Sequence, residues 1–295
     1  MRTHSMKDQT TIYKFCGSHG VTILRDLEVL VQPPNQFNDP FEFTPRIYCS
    51  DSAEYGRRIF SDPSRLRQLH EKLISEGRQV GSFGEFSRIV ETNLPALIAK
   101  MPAFLKLSLL MSATRMLNLV SETTGLLCMG ERRDSILMWG HYCSQTHGLV
   151  IEFDAGESVF QIGGGFAPVN YSGERVPFDA CWKNGSEEMN EFQRQIIFTK
   201  NLDWLYEREW RANFPLAALR KAASKEGKDL YFLRFPPSTV ISVTLGPRSL
   251  PDFEQEIRAV LGAPHFSHVS LQRAVLDDRR FTLRFDGIDR VARQS

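Results

Sequence analysis

The chain has 295 residues, which suits a large domain with an ample core. Its 36 Lys+Arg against 35 Asp+Glu leave a formal net charge of +1. Charge therefore gives no ground for nucleic acid or an anionic membrane as a partner, although it does not exclude nucleic acid. Apolar residues make up 42% and charged residues 24%, both ordinary for a soluble globular protein.

The opening "MRTHSMKDQTTIYKF" lacks the long apolar core of a secretory signal. The longest apolar run, "MPAFLKLSLLM", is interrupted by Lys106 and is too short to span a bilayer. Cys16, Cys49, Cys128, Cys143 and Cys181 form no CxxC pair, and their number is odd. Reduced thiols in a cytoplasmic protein are the simplest reading. No closely spaced Cys and His ligands suggest a metal site.

In chain order, "TIYKF" reads as a strand rich in β-branched and aromatic residues. "GVTILRDLEVL" follows with helical spacing of Ile23, Leu24, Leu27 and Leu30. "VQPPNQFNDPFEF" is a loop, because Pro33, Pro34 and Pro40 forbid regular structure. Residues 51–122 are helical. Asp62-Pro63 splits the first two helices, Ser82 and Glu85 form a capping box, and Pro102 opens a further helix. This stretch has apolar stripes and little clustered polar chemistry. It is expected to be a helical insertion within a single domain of 1–295, packed on the rim of a mixed sheet.

Strands and helices then mix. "GLLCM" is a short buried strand, "SILMWGHYCSQ" a helix apolar on most sides, and "GLVIEFD" a strand. Gly163, Gly164 and Gly165 make a hairpin loop before the strand "APVNYS"; with no Lys-Ser/Thr and helix behind them they are a poor phosphate cradle. A helix is expected near 186–204. "LYFLRF", "VISVTLG" and "VSLQRAV" read as strands, with a helix at "PDFEQEIRAVLG". The segment from Arg279 to Arg293 reads as a strand and a solvated tail. The fold class is α+β, with mixed, mostly antiparallel sheets.

Four clusters are candidates for chemistry. Asn38, Asp39 and Glu42 sit in a Pro-containing turn beside Phe37 and Phe41; they are either turn-capping residues or a binding loop. In "LMWGHY", Trp139, His141 and Tyr142 are either core residues or the lining of an aromatic pocket. Glu152 and Asp154 share one face of a strand, as an edge strand's solvent face or a pair of metal ligands. In "LYEREWRANF", Glu207 and Glu209 alternate with Arg208 and Arg211. That is either a salt-bridged junction or a buried carboxylate held ionised by arginine. Alternation in an extended chain puts Glu209 and Arg211 on one face and Trp210 on the other.

The order "YKF", "FNDPFE", "LMWGHY…HGLVIEFD", "V-x-Y" and "K…W-x-YEREWR" resembles the bacterial family known as domain of unknown function 2971. The resemblance covers most of the chain outside 51–122. It places Tyr13, Lys14, Asn38, Asp39, Glu42, Trp139, His141, Tyr142, Glu152, Glu207, Glu209 and Arg211 on signature positions. No activity comes with it. A second resemblance, to ADP-ribosyltransferases, rests on the early strand "IYKF", the middle "GLLCMGERRDSILMWGHY" and the late Glu207-Arg208-Glu209. Tyr13-Lys14 stands where such enzymes show Arg or His, and the Ser-Thr-Ser pattern is missing.

This resemblance implies an NAD-consuming transferase or glycohydrolase, a toxin or defence effector, with NAD as substrate. Glu209 would stabilise charge on the ribose and Glu207 would act on the acceptor, with His141 the third catalytic candidate. Trp139 or Tyr142 would stack on nicotinamide, Tyr13 and Lys14 would hold ribose and diphosphate, and Asn38, Asp39 and Arg211 would complete the binding set. The acceptor is not implied. The alternatives are a metal-dependent nuclease using Asp39, Glu152 and Asp154, and a non-enzymatic ligand-binding module. The enzyme readings require Asn38, Asp39, His141 and Glu209 to meet at one cavity.

Overall fold

The computed structural model describes residues 11–289, without the side chains of 102–115 and 119. The expected leader and tail readings therefore lie partly outside the described residues. The elements in chain order are β1 (Thr11–Cys16), α1 (Gly20–Asp26), β2 (Glu28–Val31), β3 (Arg46–Tyr48), α2 (Ser52–Phe60), α3 (Pro63–Ser75) and α4 (Phe83–Ser121). There follow β4 (Thr124–Gly130), α5 (Ile136–Tyr142), β5 (Leu149–Asp154), β6 (Ala167–Pro168), β7 (Asn170–Ser172), β8 (Pro177–Asp179) and α6 (Glu187–Phe198). The last are β9 (Thr199–Asn201), β10 (Glu209–Pro215), β11 (Arg220–Ala223), β12 (Asp229–Arg234), β13 (Val240–Leu245), α7 (Pro251–Leu261), β14 (Ser270–Leu276) and β15 (Leu283–Gly287).

The chain divides into two compact units. One comprises residues up to Glu42, Asn118–Glu174 and the chain from Phe198 onward. Its principal sheet has the order β15-β14-β13-β5-β1-β4-β10-β6. Only β13 and β14 run parallel, so the sheet is mixed and mostly antiparallel, and the fold is α+β. A second antiparallel sheet has the order β11-β12-β2. One face of the principal sheet puts Ile12, Leu127, Ile151, Trp210 and Phe214 into a core shared with Val29 and Val31 of β2. The other face puts Phe15, Val150 and Ala274 against Met138, Trp139 and Cys143 of the α5 region.

The register of β1 matters for the site. It pairs with β5 over its whole length, Thr11 to Cys16, but meets β4 in register only at Tyr13 and Gly130. β4 instead pairs with β10 over seven residues, from Glu209–Gly130 to Pro215–Thr124. The strands β1 and β4 therefore part beyond Gly130. Lys14 reaches across, its Nζ donating to the Cys128 carbonyl at 2.9 Å.

The other unit comprises Phe43–Leu117 and Arg175–Ile197, wider than the expected 51–122 insertion. Asp62-Pro63 separates α2 from α3 as expected; Asp51 and Asp62 cap the two helices, and Pro63 occupies the first turn of α3. Ser82 and Glu85 exchange capping-box hydrogen bonds. The two helices expected on either side of Pro102 are one helix of 39 residues. Pro95 and Pro102 each forgo a backbone hydrogen bond, yet the helix continues through both. The short parallel pair β3–β8 brings Tyr48 beside Asp179. Phe178, Trp182 and Phe192 pack near it, with the Phe178 and Phe192 ring centroids 4.8 Å apart.

The helix expected near 186–204 ends at Phe198. Thr199–Asn201 is β9, drawn into a parallel pair with β7 that sets Lys200 opposite Tyr171. A 3-10 turn, Leu202–Glu207, follows, opened by the Asn201 side chain on the Asp203 amide. Arg208 then takes a left-handed conformation, φ 44°, before β10 begins. No helix among the described residues is long and apolar enough to cross a membrane.

Candidate functional site

The site is a buried cluster of charges at the head of β10. Glu209 is its first residue and is 5% exposed; Arg211, two on, is 0% exposed. Strand alternation puts both on one face, and Trp210 enters the opposite core. Arg211 Nε donates to Glu209 Oε1 at 2.7 Å, and its Nη2 donates to Oε2 at 3.1 Å. The same Nη2 also donates to Glu42. Lys200 Nζ bonds Glu207 at 2.6 Å and Glu209 at 3.0 Å, and lies 3.4 Å from Glu42. The left-handed turn at Arg208 lets Glu207 and Glu209 reach one ammonium despite standing on either side of an exposed residue.

Three carboxylates thus share two cations, a formal excess of one negative charge. Burial alone would raise the Glu209 carboxyl, but Arg211 and Lys200 outweigh it and lower it to about 2. Burial, reinforced by Glu209, keeps Glu42 raised against the pull of Arg211 and Lys200. Burial opposes the charge on Lys200, yet the three carboxylates hold it ionised and raise its titration. Tyr142 donates its hydroxyl to Glu207 Oε1 at 2.6 Å. Burial and that carboxylate raise the phenol, so Tyr142 stays a proton donor. The Glu209 amide donates to the Tyr171 hydroxyl at 2.8 Å.

The cluster forms one wall of a cleft of about 590 Å³, within the usual range of small-molecule sites. Residues of both sheets line it. Lys14, Tyr13, Cys128 and Glu209 come from the principal sheet; Glu28, Leu230, Phe232 and Arg220 come from the smaller one. Phe37 and Asn38 complete the lining from the Pro-containing loop. The Arg211 guanidinium carbon stands 5.5 Å from the Phe37 ring centre, and Lys200 Nζ stands 4.8 Å from the Trp204 ring centre. Cys128 is no nucleophile here, because burial and the adjacent Glu209 hold its thiol well above the ordinary range.

Of the residues expected to converge, Asn38 and Glu209 line the cleft, as do Tyr13, Lys14, Tyr142 and Glu207. Arg211 lies behind Glu209. The others are placed differently. Trp139 is 0% exposed; its indole N–H donates to the Arg133 carbonyl at 2.7 Å and its ring meets Phe15 edge-on, so it is a core residue that cannot stack on a ligand. His141 is exposed beside Tyr206 and is not in the lining. Asp39 is buried and caps the Phe41 amide, a turn role.

The carboxylates of the nuclease alternative are engaged separately. Glu152 accepts from Tyr13 and Ser242, and Asp154 caps Gly156. Among the described residues Asp39, Glu152 and Asp154 do not assemble into a metal-holding group. Lys200 enters the sequence reading only as the first residue of the motif "K…W-x-YEREWR", with no role assigned, because it falls in what reads as a helix.

The residues that close the cluster from one side, Tyr142, Lys200, Glu207, Glu209 and Arg211, fall within one continuous stretch. Residues 138–212 match the family model described as protein of unknown function (DUF2971). No curated protein and no solved structure matches the chain. The DUF2971 segment thus carries most of the charge cluster, while Glu42 enters from before it.

The depressed Glu209 carboxyl has a pH consequence. Its pairing contributes fully above its ordinary value of 4.5 and is lost as pH falls through about 2. The melting temperature should therefore fall between these values by more in the native chain than in Glu209→Gln. Equal slopes would show that Glu209 is not held ionised.

Proposed function

We propose that the protein binds NAD in this cleft and cleaves the nicotinamide–ribose bond, as a glycohydrolase or a mono-ADP-ribosyltransferase with an ADP-ribosyltransferase-like arrangement. The observation that carries the reading is a buried, ionised Glu209 in the wall of a cleft lined by two sheets. As the bond breaks, its electron pair leaves with nicotinamide and positive charge builds on the ribose. A fixed carboxylate in a cluster with a formal excess of negative charge stabilises that cation without reorganisation.

Glu207 takes the proton of the attacking acceptor, water or a macromolecular nucleophile, and Tyr142 stays its hydrogen-bonded partner. Phe37 and Phe232, not Trp139, are rings of the lining that a nicotinamide or adenine could meet, each with an arginine on it already. Lys14 is the cation available to a diphosphate.

A second reading is a ligand-binding module whose charges are structural. It is favoured by one observation: both Glu209 oxygens are already bonded, one to Arg211 and the other to Arg211 and Lys200. Calorimetric titration with NAD and a nicotinamide-release assay separate the two. Binding with release is the expected result, binding without release supports the module, and no binding rejects NAD as the ligand.

A further inference from the structure

We infer that Cys49, Asp179 and Cys181 form a binding site for a thiophilic divalent cation of the zinc class. The site lies wholly in the helical unit and shares no residue with the cleft. The parallel pair β3–β8 sets Tyr48 opposite Asp179, so Cys49 and Cys181, which follow them, emerge side by side. Their sulfurs are 3.3 Å apart. The two sulfurs and an Asp179 carboxylate oxygen all lie within 4.8 Å of one another. A tetrahedral ion with bonds of about 2.0–2.3 Å holds its ligand atoms about 3.3–3.8 Å apart, so the sulfurs need part only slightly to admit it.

Charge supplies the second argument. Asp179 is 5% exposed, and among the described residues no cation is paired with it. Its Oδ1 accepts from the Ser50 amide at 3.1 Å and the Cys181 amide at 2.9 Å, which fix the carboxylate in place. A dication bound there displaces the two thiol protons to solvent, balances two thiolates and a carboxylate, and suits the soft sulfur ligands.

The surroundings are built to hold this geometry. Arg58 donates to the carbonyls of Ala180 at 2.6 Å and Cys181 at 2.8 Å, clamping the turn that carries the second sulfur. The Asp51 carbonyl accepts from Cys181 Sγ at 3.3 Å, so a backbone oxygen or a water can take the fourth position. A disulfide would need the sulfurs at about 2.05 Å, against the 3.3 Å between them here.

The test uses the full chain, reduced, stripped with a chelator and titrated with Co²⁺ alone. One equivalent should bind with thiolate-to-cobalt charge-transfer absorption and tetrahedral ligand-field bands, and Zn²⁺ should displace it. Cys49→Ser and Cys181→Ser should each weaken that absorption, and Cys143→Ala should keep it. Asp179→Asn can still accept from both amides, so it should fold; it should weaken affinity by more than about tenfold, a loss typical even of supporting residues. Zn²⁺ should also raise the melting temperature of the native chain but not of the Cys49 and Cys181 variants. Failure to bind a stoichiometric ion, or an unchanged spectrum in both serine variants, would overturn the site. So would a chain isolated with Cys49 and Cys181 joined that takes up no cobalt once reduced.

Discussion

Arg211→Met will destabilise the protein by about 3–5 kcal/mol, the range for removing one partner of a buried ion pair. Arg211 is fully buried and holds two carboxylates at once, Glu209 through two nitrogens and Glu42 through one. Methionine matches the volume of the stem but not the charge. Lys200 alone would then face three acids, and Glu42, already raised by its burial, would take up a proton. Urea denaturation at neutral pH reads the loss directly. Arg211→Lys should recover little, because an ammonium cannot reproduce the planar fork. A loss below about 1 kcal/mol would mean that the cluster relaxes freely, and the description of it as tightly interlocked would have to be given up.

Glu209→Gln carries the other large effect. The amide keeps the shape and one acceptor, so the chain should fold, yet its NH₂ now meets Lys200 or Arg211 donor to donor. Some melting temperature is lost for that reason. If Glu209 stabilises the ribose cation, nicotinamide release should fall by about 10²-fold or more. Measuring turnover and melting on the same variant separates the roles. Full turnover with lowered melting removes Glu209 from the chemistry and leaves it a structural residue.

Some of this was legible in residue order. The β-branched strands "TIYKF", "GLVIEFD" and "VISVTL" are strands β1, β5 and β13. Two-residue alternation was enough to pair Glu209 with Arg211 and to send Trp210 to the core, because a strand's faces are set locally. The role of Lys200 was illegible because its strand exists only through pairing with β7, where it faces Tyr171, and the amphipathic "EFQRQIIF" before it continues a helical pattern. Trp139 misled because an aromatic beside His and Tyr suits a pocket as well as a core; the fold buried it against Phe15. Cys49 and Cys181 are 132 residues apart, and no spacing rule joins them.

The same separation governs how the charge cluster comes into being. Glu42 and Arg211 are 169 residues apart in the chain, and no local segment can unite them. Closing so long a loop costs entropy before any contact repays it. During folding Glu42 must therefore wait, hydrated, until the strand that carries Arg211 has been placed beside its loop. The interlocked charges are a late signature of the native state rather than a seed for it, and breaking them should act on the rate at which the finished protein unravels more than on the rate at which it assembles.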